Sequence, residues 1–366
     1  MLGKRIHDLR RRQELSRKEL AEGSGLTEAE LRDLEDENGS WLPMEKLMAL
    51  AQALKLRQAA NFAALLELNG LKRRVHLYVL GLVKTGSVSL CGIFGTYRVT
   101  HEYLQWETHQ QVIRWHRGQL SREEMRAFLL DRDARAALEL DAAHFNRHYC
   151  DILAEEFDGE RSSPPARFIY LLRDPYSWVE SHINYFTQID CEALHGDLLP
   201  NGLPFDLPRG AMAPRQELIE NFCRYAEVPI AFWASENRVA LQRLQSAAPN
   251  RSLLLYTHEV SRSLPRLAEF AGVPSESLLA ERCHSNRTEY HVRVLHDGQT
   301  AVLQALFDHH CGDLLEQYFP GYRLEDYLEG KKPPAAETLN DRPLHEGPKH
   351  KIRLEIQRGN FKPGFK

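Results

Sequence analysis

The stretch 75–93, Val-His-Leu-Tyr-Val-Leu-Gly-Leu-Val-Lys-Thr-Gly-Ser-Val-Ser-Leu-Cys-Gly-Ile, constrains this chain most. Val75 to Leu82 is an apolar run of strand length, rich in β-branched and aromatic residues. Gly81 and Gly86 bracket a short loop, and Leu90 to Ile93 begins a plausible helix. A strand, a tight loop and a helix in this order turn successive backbone N–H groups and the positive helix end toward one point. That arrangement suits an anion of the phosphate or sulfate kind.

The rest of the chain continues the alternation. Residues 167–174 (RFIYLLRD) and 252–256 (SLLLY) are further buried-strand candidates, and the segments 121–130 and 177–186 are helical, the first opened by a Ser121/Glu124 capping box. Such alternation predicts a parallel α/β sheet covered by helices, with ligands at the carboxyl ends of its strands. With 366 residues there is room for one large domain and a small one. The expected division is 1–70, 74–328 and 329–366, the last a Pro-containing linker and a basic tail from Lys349 to Lys366 read as solvated.

Residues 3–69 read as helical throughout, with start signals at Ser16/Glu19 and Thr27/Glu30. Leu9, Leu15, Leu20, Ala21, Leu26, Leu31 and Leu34 form one apolar set, and Leu47, Leu50, Ala51 and Leu54 form another after Pro43. The stretch from Leu2 to Leu54 resembles the Cro/repressor type of helix-turn-helix domain. The resemblance implies that the helix starting at Thr27 faces a DNA major groove. Glu28, Glu30, Asp33, Glu35, Asp36 and Glu37 put negative charge where phosphates would lie, while Arg10, Arg11, Arg12, Arg17 and Lys18 sit on the preceding helices. The expectation is therefore a retained packing or protein-contact module, with DNA binding as its rival.

The loop is not that of a nucleotide triphosphatase. Gly81 and Gly86 have the spacing, but Lys84 precedes Gly86, and Ser87 stands where the lysine would be. Val-Lys-Thr-Gly-Ser-Val-Ser-Leu (83–90) resembles instead the P-K-T-G-T-T-S-L loop of sulfotransferases that use 3′-phosphoadenosine-5′-phosphosulfate (PAPS). The resemblance implies a P-loop-like fold, PAPS as co-substrate and no metal. It makes Lys84 the catalytic lysine, assigns Thr85, Gly86 and Ser87 to the 5′-phosphosulfate, and puts Val88 and Ser89 at the helix start. Val83 replaces the family's proline, and Val88 removes one hydroxyl from the donor site. Sulfotransferases also carry, after a buried strand, an Arg and then a Ser eight positions on that bind the 3′-phosphate. Arg173 and Ser181 in RDPYSWVES match that spacing. Guanidinium offers a rigid fork for phosphate oxygens, and Pro175 sets the turn. Arg287 could complete the donor site.

For the proton of an acceptor hydroxyl, the candidates are Glu102, then His101, at the end of the strand after the loop helix. Asp141, His144 and Asn146 are candidates to line the acceptor pocket, and Trp106, Trp115, Trp178 and Tyr185 could stack on an aromatic or sugar ring. Tyr256, His258 and Glu259 are read as architectural. The expected activity is sulfuryl transfer to a hydroxyl or amine of a small molecule or glycan. The alternative is a transcriptional regulator that senses PAPS or 3′,5′-ADP through a degenerate sulfotransferase domain. A P-loop kinase is disfavoured by the position of Lys84 and by the Arg173/Ser181 pair.

Net charge of −4 argues against a chain that holds nucleic acid by global electrostatics. The six cysteines are scattered without C-x-x-C or zinc spacing, which points to reduced thiols and a cytoplasmic location. No export signal and no membrane-spanning run is read.

Overall fold

Both capping boxes near the start of the chain form. The Ser16 amide donates to the Glu19 carboxylate at 2.7 Å and the Glu19 amide to the Ser16 hydroxyl at 3.1 Å; Thr27 and Glu30 exchange the same bonds at 2.8 and 3.1 Å. These open α2 (Arg17–Ser24) and α3 (Glu28–Asp36), which with α1 (Leu2–Arg12) and α4 (Met44–Ala53) close around Leu9, Leu20, Leu31, Leu34, Leu47 and Leu50. A computed structural model describes residues 2–36, 42, 44–55, 73–160, 164–186, 222–224, 226–282 and 293–334. Arg287 and the basic tail lie outside the described residues.

One expectation for the helical region changes. Glu35 does not present charge outward: it is 8% exposed and accepts from Arg10 Nε and Nη2 at 2.6 and 2.8 Å and from Arg17 Nε at 2.7 Å. Arg17 also reaches Asp36 at 2.6 Å. Two of the basic residues are thus consumed in tying α1, α2 and α3 together. Burial pushes the Glu35 carboxyl up, but its hydrogen bonds to Arg10 and Arg17 outweigh burial and hold it below its ordinary value. The stabilisation is therefore present above the ordinary carboxylate pKa and lost as pH falls through the depressed one. Glu35→Ala strands a buried guanidinium, and breaking such a pair costs about 3–5 kcal/mol. Hydrogen exchange should show α1 and α3 losing about 100-fold or more of their protection.

The chain then enters a mixed α/β region built on five parallel strands. These are β1 (Leu77–Gly81), β2 (Val99–His101), β3 (Leu140–Ala142), β4 (Arg167–Leu172) and β5 (Ser252–Tyr256), in the spatial order β2-β3-β1-β4-β5. Register runs Leu77 opposite Leu140 and Arg167, and Phe168 opposite Ser252. Every residue of β1 is buried, as a strand covered on both faces requires. Its alternate side chains feed two cores: Tyr78 and Leu80 join Phe168, Tyr170 and Trp233 on one face, and Leu77 and Val79 join Ile93, Ile169 and Leu255 on the other.

Helices α5 (Ser87–Ile93), α6 (Gln105–His116), α7 (Arg122–Ala136), α8 (Cys150–Glu156), α9 (Pro175–Phe186), α10 (Glu227–Ala247), α11 (Leu264–Ala271), α12 (Thr300–Tyr318) and α13 (Leu324–Leu328) supply the flanks. At the amino end of the sheet, buried carboxylates pin the polar segment ahead of β1. Arg73 Nη2 donates to Asp133 at 2.7 Å, and Arg74 donates to Glu139 from its amide and its Nε, each at 2.9 Å. The carboxyl end is left to the loops. From β1 the chain runs out to β2, returns through β3 and crosses to β4, so the direction reverses at β1. A reversal of this kind opens a crevice at the carboxyl end.

Candidate functional site

Because all five strands are parallel, their carboxyl ends share one edge, and each contributes to one cluster. The loop 82–86 leaves β1 and enters α5 at Gly86, whose φ is 101°. Gly81 has φ 145°, and a Cβ there would lie 2.7 Å from the Leu171 carbonyl oxygen and 2.8 Å from Thr85 Oγ1. Glycine is therefore required where the strand turns into the loop. Lys84 adopts φ 64°, a left-handed conformation that costs a non-glycine residue about 1–2 kcal/mol. Its ammonium lies 4.5 Å over the ring of Tyr185. Burial, then the nearby Arg173, lower the Lys84 pKa from its ordinary value.

Arg173 follows β4. Its Nη1 donates to the Lys84 carbonyl at 2.9 Å and its Nε to Ser177 Oγ at 2.9 Å. Asp174 accepts from the Ser177 amide at 2.8 Å and from the Ser177 hydroxyl, so it caps α9 while Pro175 begins it. The serine that touches the guanidinium is therefore Ser177, which sequence reasoning missed. Ser181 sits one turn further along the same helix face and is buried. The signal for Ser177 was its place three residues after Asp174, a capping spacing. Trp178 is fully buried in the core and donates its indole N–H to the Val83 carbonyl at 2.8 Å, whereas Trp106 is 41% exposed.

On the other side, Ser87 Oγ lies 2.9 Å from His101 Nε2. Glu102 has φ 55°, a second left-handed non-glycine residue, and its amide donates to the Ala142 carbonyl at 2.9 Å, extending the β2–β3 pairing. Its Oε1 meets Nδ1 of His144, which follows β3, at 2.6 Å. Burial pushes the Glu102 carboxyl up, but the hydrogen bond and charge of His144 outweigh it and hold the acid below its ordinary value. Burial also lowers His144, against the pull of Glu102. The contact between Oε1 and Nδ1 requires an Nδ1–H that donates to the carboxylate.

The other two residues near His144 do not line a pocket. Asp141 is buried in an ion pair with Arg132, and Arg132 Nη2 donates to Asp141 Oδ1 at 3.2 Å. Asn146 is fully buried and donates to the carbonyls of Val79 and Asp141 at 3.2 and 3.1 Å. Asp141 is part of β3, and Asn146, in the turn after it, ties that turn to β1 and β3.

Thr85 and Thr257 complete the cluster. Thr85 Oγ1 donates to the Leu82 carbonyl at 2.7 Å, so its hydroxyl stabilises the loop. Thr257, just beyond β5, donates to the Thr85 carbonyl at 2.7 Å. Hydrogen bonds thus join the ends of β2 and β3 through Glu102 and His144, those of β1 and β2 through Ser87 and His101, and those of β4 and β5 to the β1 loop. The first amides of α5 have no acceptor within their own helix. Together with Lys84 and Arg173 they form a cationic, donor-rich rim, and the Glu102 carboxylate, held by His144, follows His101, whose Nε2 meets Ser87 at the start of α5.

Among the described residues no group of three or more His, Cys, Asp or Glu is placed to hold a metal ion, and no helix is long and apolar enough to cross a membrane. A scan against protein-family models gives no match, and neither does a search of curated proteins. Among solved structures, one described as "Sulfotransferase Domain from the Curacin Biosynthetic Pathway" is similar at 17% identity and a TM-score of 0.32, covering 72% of this chain and 100% of that one. Overlap this loose leaves the chemistry to be argued from the site itself.

Proposed function

We propose that this chain moves a sulfuryl group from PAPS to a hydroxyl or amine of a small molecule or glycan and releases 3′,5′-ADP. The observation that carries the reading is the convergence of Lys84, Arg173 and the 82–87 loop at one edge of the sheet, where Ser87 also meets His101, the neighbour of Glu102. In sulfuryl transfer, as in phosphoryl transfer, charge builds on the moving group and the leaving oxygen, so positioned donors do most of the work. The loop amides hold the phosphosulfate, and Lys84 stabilises the leaving 5′-phosphate oxygen as the sulfur–oxygen bond breaks. Arg173, with Ser177 and Ser181 behind it on α9, takes the 3′-phosphate. The acceptor oxygen attacks sulfur in line and passes its proton to Glu102, whose carboxylate His144 keeps ionised and oriented.

Glu102→Gln should lower kcat by about 10²- to 10⁴-fold while leaving the donor KM nearly unchanged. The carboxyl sits below its ordinary value of 4.5, so the acid limb of wild-type kcat/KM should fall below that pH. A limb near neutrality that persists in Glu102→Gln would move the proton to an imidazole. The reaction itself is tested by incubating the protein with ³⁵S-labelled PAPS and a panel of hydroxyl and amine acceptors. Labelled product formed in step with 3′,5′-ADP is expected. Tight binding of 3′,5′-ADP with no transfer to any acceptor would favour the sensing alternative.

A further inference from the structure

An anion loop has a second requirement besides its amides. When successive N–H groups turn toward a ligand, the carbonyls between them turn away, into the protein, where each needs a donor. Here four consecutive carbonyls are met by side chains. Leu82 accepts from Thr85 Oγ1 at 2.7 Å, Val83 from Trp178 Nε1 at 2.8 Å, Lys84 from Arg173 Nη1 at 2.9 Å and Thr85 from Thr257 Oγ1 at 2.7 Å. Backbone partners would be the ordinary solution in a loop beside a sheet. Side-chain donors from the loop itself, α9, the end of β4 and the end of β5 fix the loop by tertiary structure instead.

We infer that Trp178 and Thr257 are positioning residues for the donor's 5′-phosphosulfate, acting through the Val83 and Thr85 carbonyls without touching the ligand. The inference rests on the PAPS reading of the site. Each donor sits against the element it restrains. Trp178 is fully buried between Phe232 and His182, in stacked contact with both, and Thr257 Cγ2 lies close enough that a Cβ on Gly86 would meet it at 3.6 Å. The restraint is needed because Lys84 sits between the two held carbonyls in its left-handed conformation. Left to itself the backbone would relax from that conformation and rotate the neighbouring amides out of line. With the carbonyls fixed, the amides are aimed before the ligand arrives, and little ordering is left for binding to offset.

The test compares two probes, 3′,5′-ADP, which has the 5′-phosphate, and adenosine 3′-phosphate, which lacks it. Thr257→Val keeps the shape and removes the donor. It should weaken 3′,5′-ADP roughly three- to tenfold, the worth of one hydrogen bond, and leave adenosine 3′-phosphate unchanged. Thr257→Ser, which restores the hydroxyl, should return 3′,5′-ADP to the wild-type affinity. Trp178→Phe should show the same selective loss, and its thermal midpoint reports any separate cost to the core. Equal weakening of both probes by Thr257→Val, or none, would overturn the inference. Failure of the wild type to bind 3′,5′-ADP at all is a different result and would overturn the donor reading beneath it.

Discussion

Lys84→Ala is expected to slow sulfuryl transfer by about 10²- to 10³-fold, the usual consequence of removing one preorganised donor from developing charge. The effect should fall on kcat. Lys84 approaches no carboxylate within ion-pair distance among the described residues; its ammonium rests over the Tyr185 ring and is partly desolvated, which lowers its pKa. A cation held this way has few partners to lose and can swing onto the leaving oxygen as charge appears. The backbone of the loop is held by Trp178, Arg173 and Thr257, so the alanine variant should keep its amides in place and still bind 3′,5′-ADP. A comparison of single-turnover rates with equilibrium binding checks this. If binding falls as far as the rate, Lys84 acts on the ground state and the assignment of its role is wrong.

Arg173→Ala carries the second large effect, and it should appear as lost selectivity. Wild type should bind 3′,5′-ADP more tightly than 5′-AMP because only the former reaches the guanidinium. A hydrogen bond to a charged group is worth about 1.5–3 kcal/mol, so the variant should lose roughly 10- to 100-fold for 3′,5′-ADP and bring the two nucleotides close together. A smaller loss for both should accompany it, because the same side chain supports the Lys84 carbonyl at 2.9 Å. Arg173→Lys retains charge but not the fork, and should recover only part of the difference. Calorimetry with both nucleotides separates the two contributions.

Much of this arrangement was legible from local pattern. The run Ser252 to Tyr256 is the β5 strand to the residue, and the capping boxes at Ser16, Thr27 and Ser121 form as their spacing implies. Strand β4 stops at Leu172, short of the expected end at Asp174, because Asp174 turns to cap α9. These features depend on neighbours within a few residues. The strand order and the site's cross-connections do not. Glu102 meets His144 across 42 residues, and Arg173 meets the Lys84 carbonyl across 89. Nothing in the sequence near Thr257 marks its hydroxyl as the donor to a loop 172 positions earlier. Likewise Asp141 reads as a candidate to line an acceptor pocket until its ion pair with the buried Arg132 is seen. Residue types and spacing singled out the loop, the lysine and the arginine that the fold brings to one edge of the sheet. What holds the loop's carbonyls follows only from packing.

The proposed PAPS site at the carboxyl edge of the sheet is open to direct measurement. The most direct measurement is a calorimetric titration of the wild-type protein with 3′,5′-ADP and, separately, with ATP and Mg²⁺. One saturable site for 3′,5′-ADP is expected, with markedly weaker binding of ATP, because Lys84 precedes Gly86 and Arg173 is placed for a 3′-phosphate. Preference for ATP with Mg²⁺, or no binding of 3′,5′-ADP, would contradict the PAPS reading.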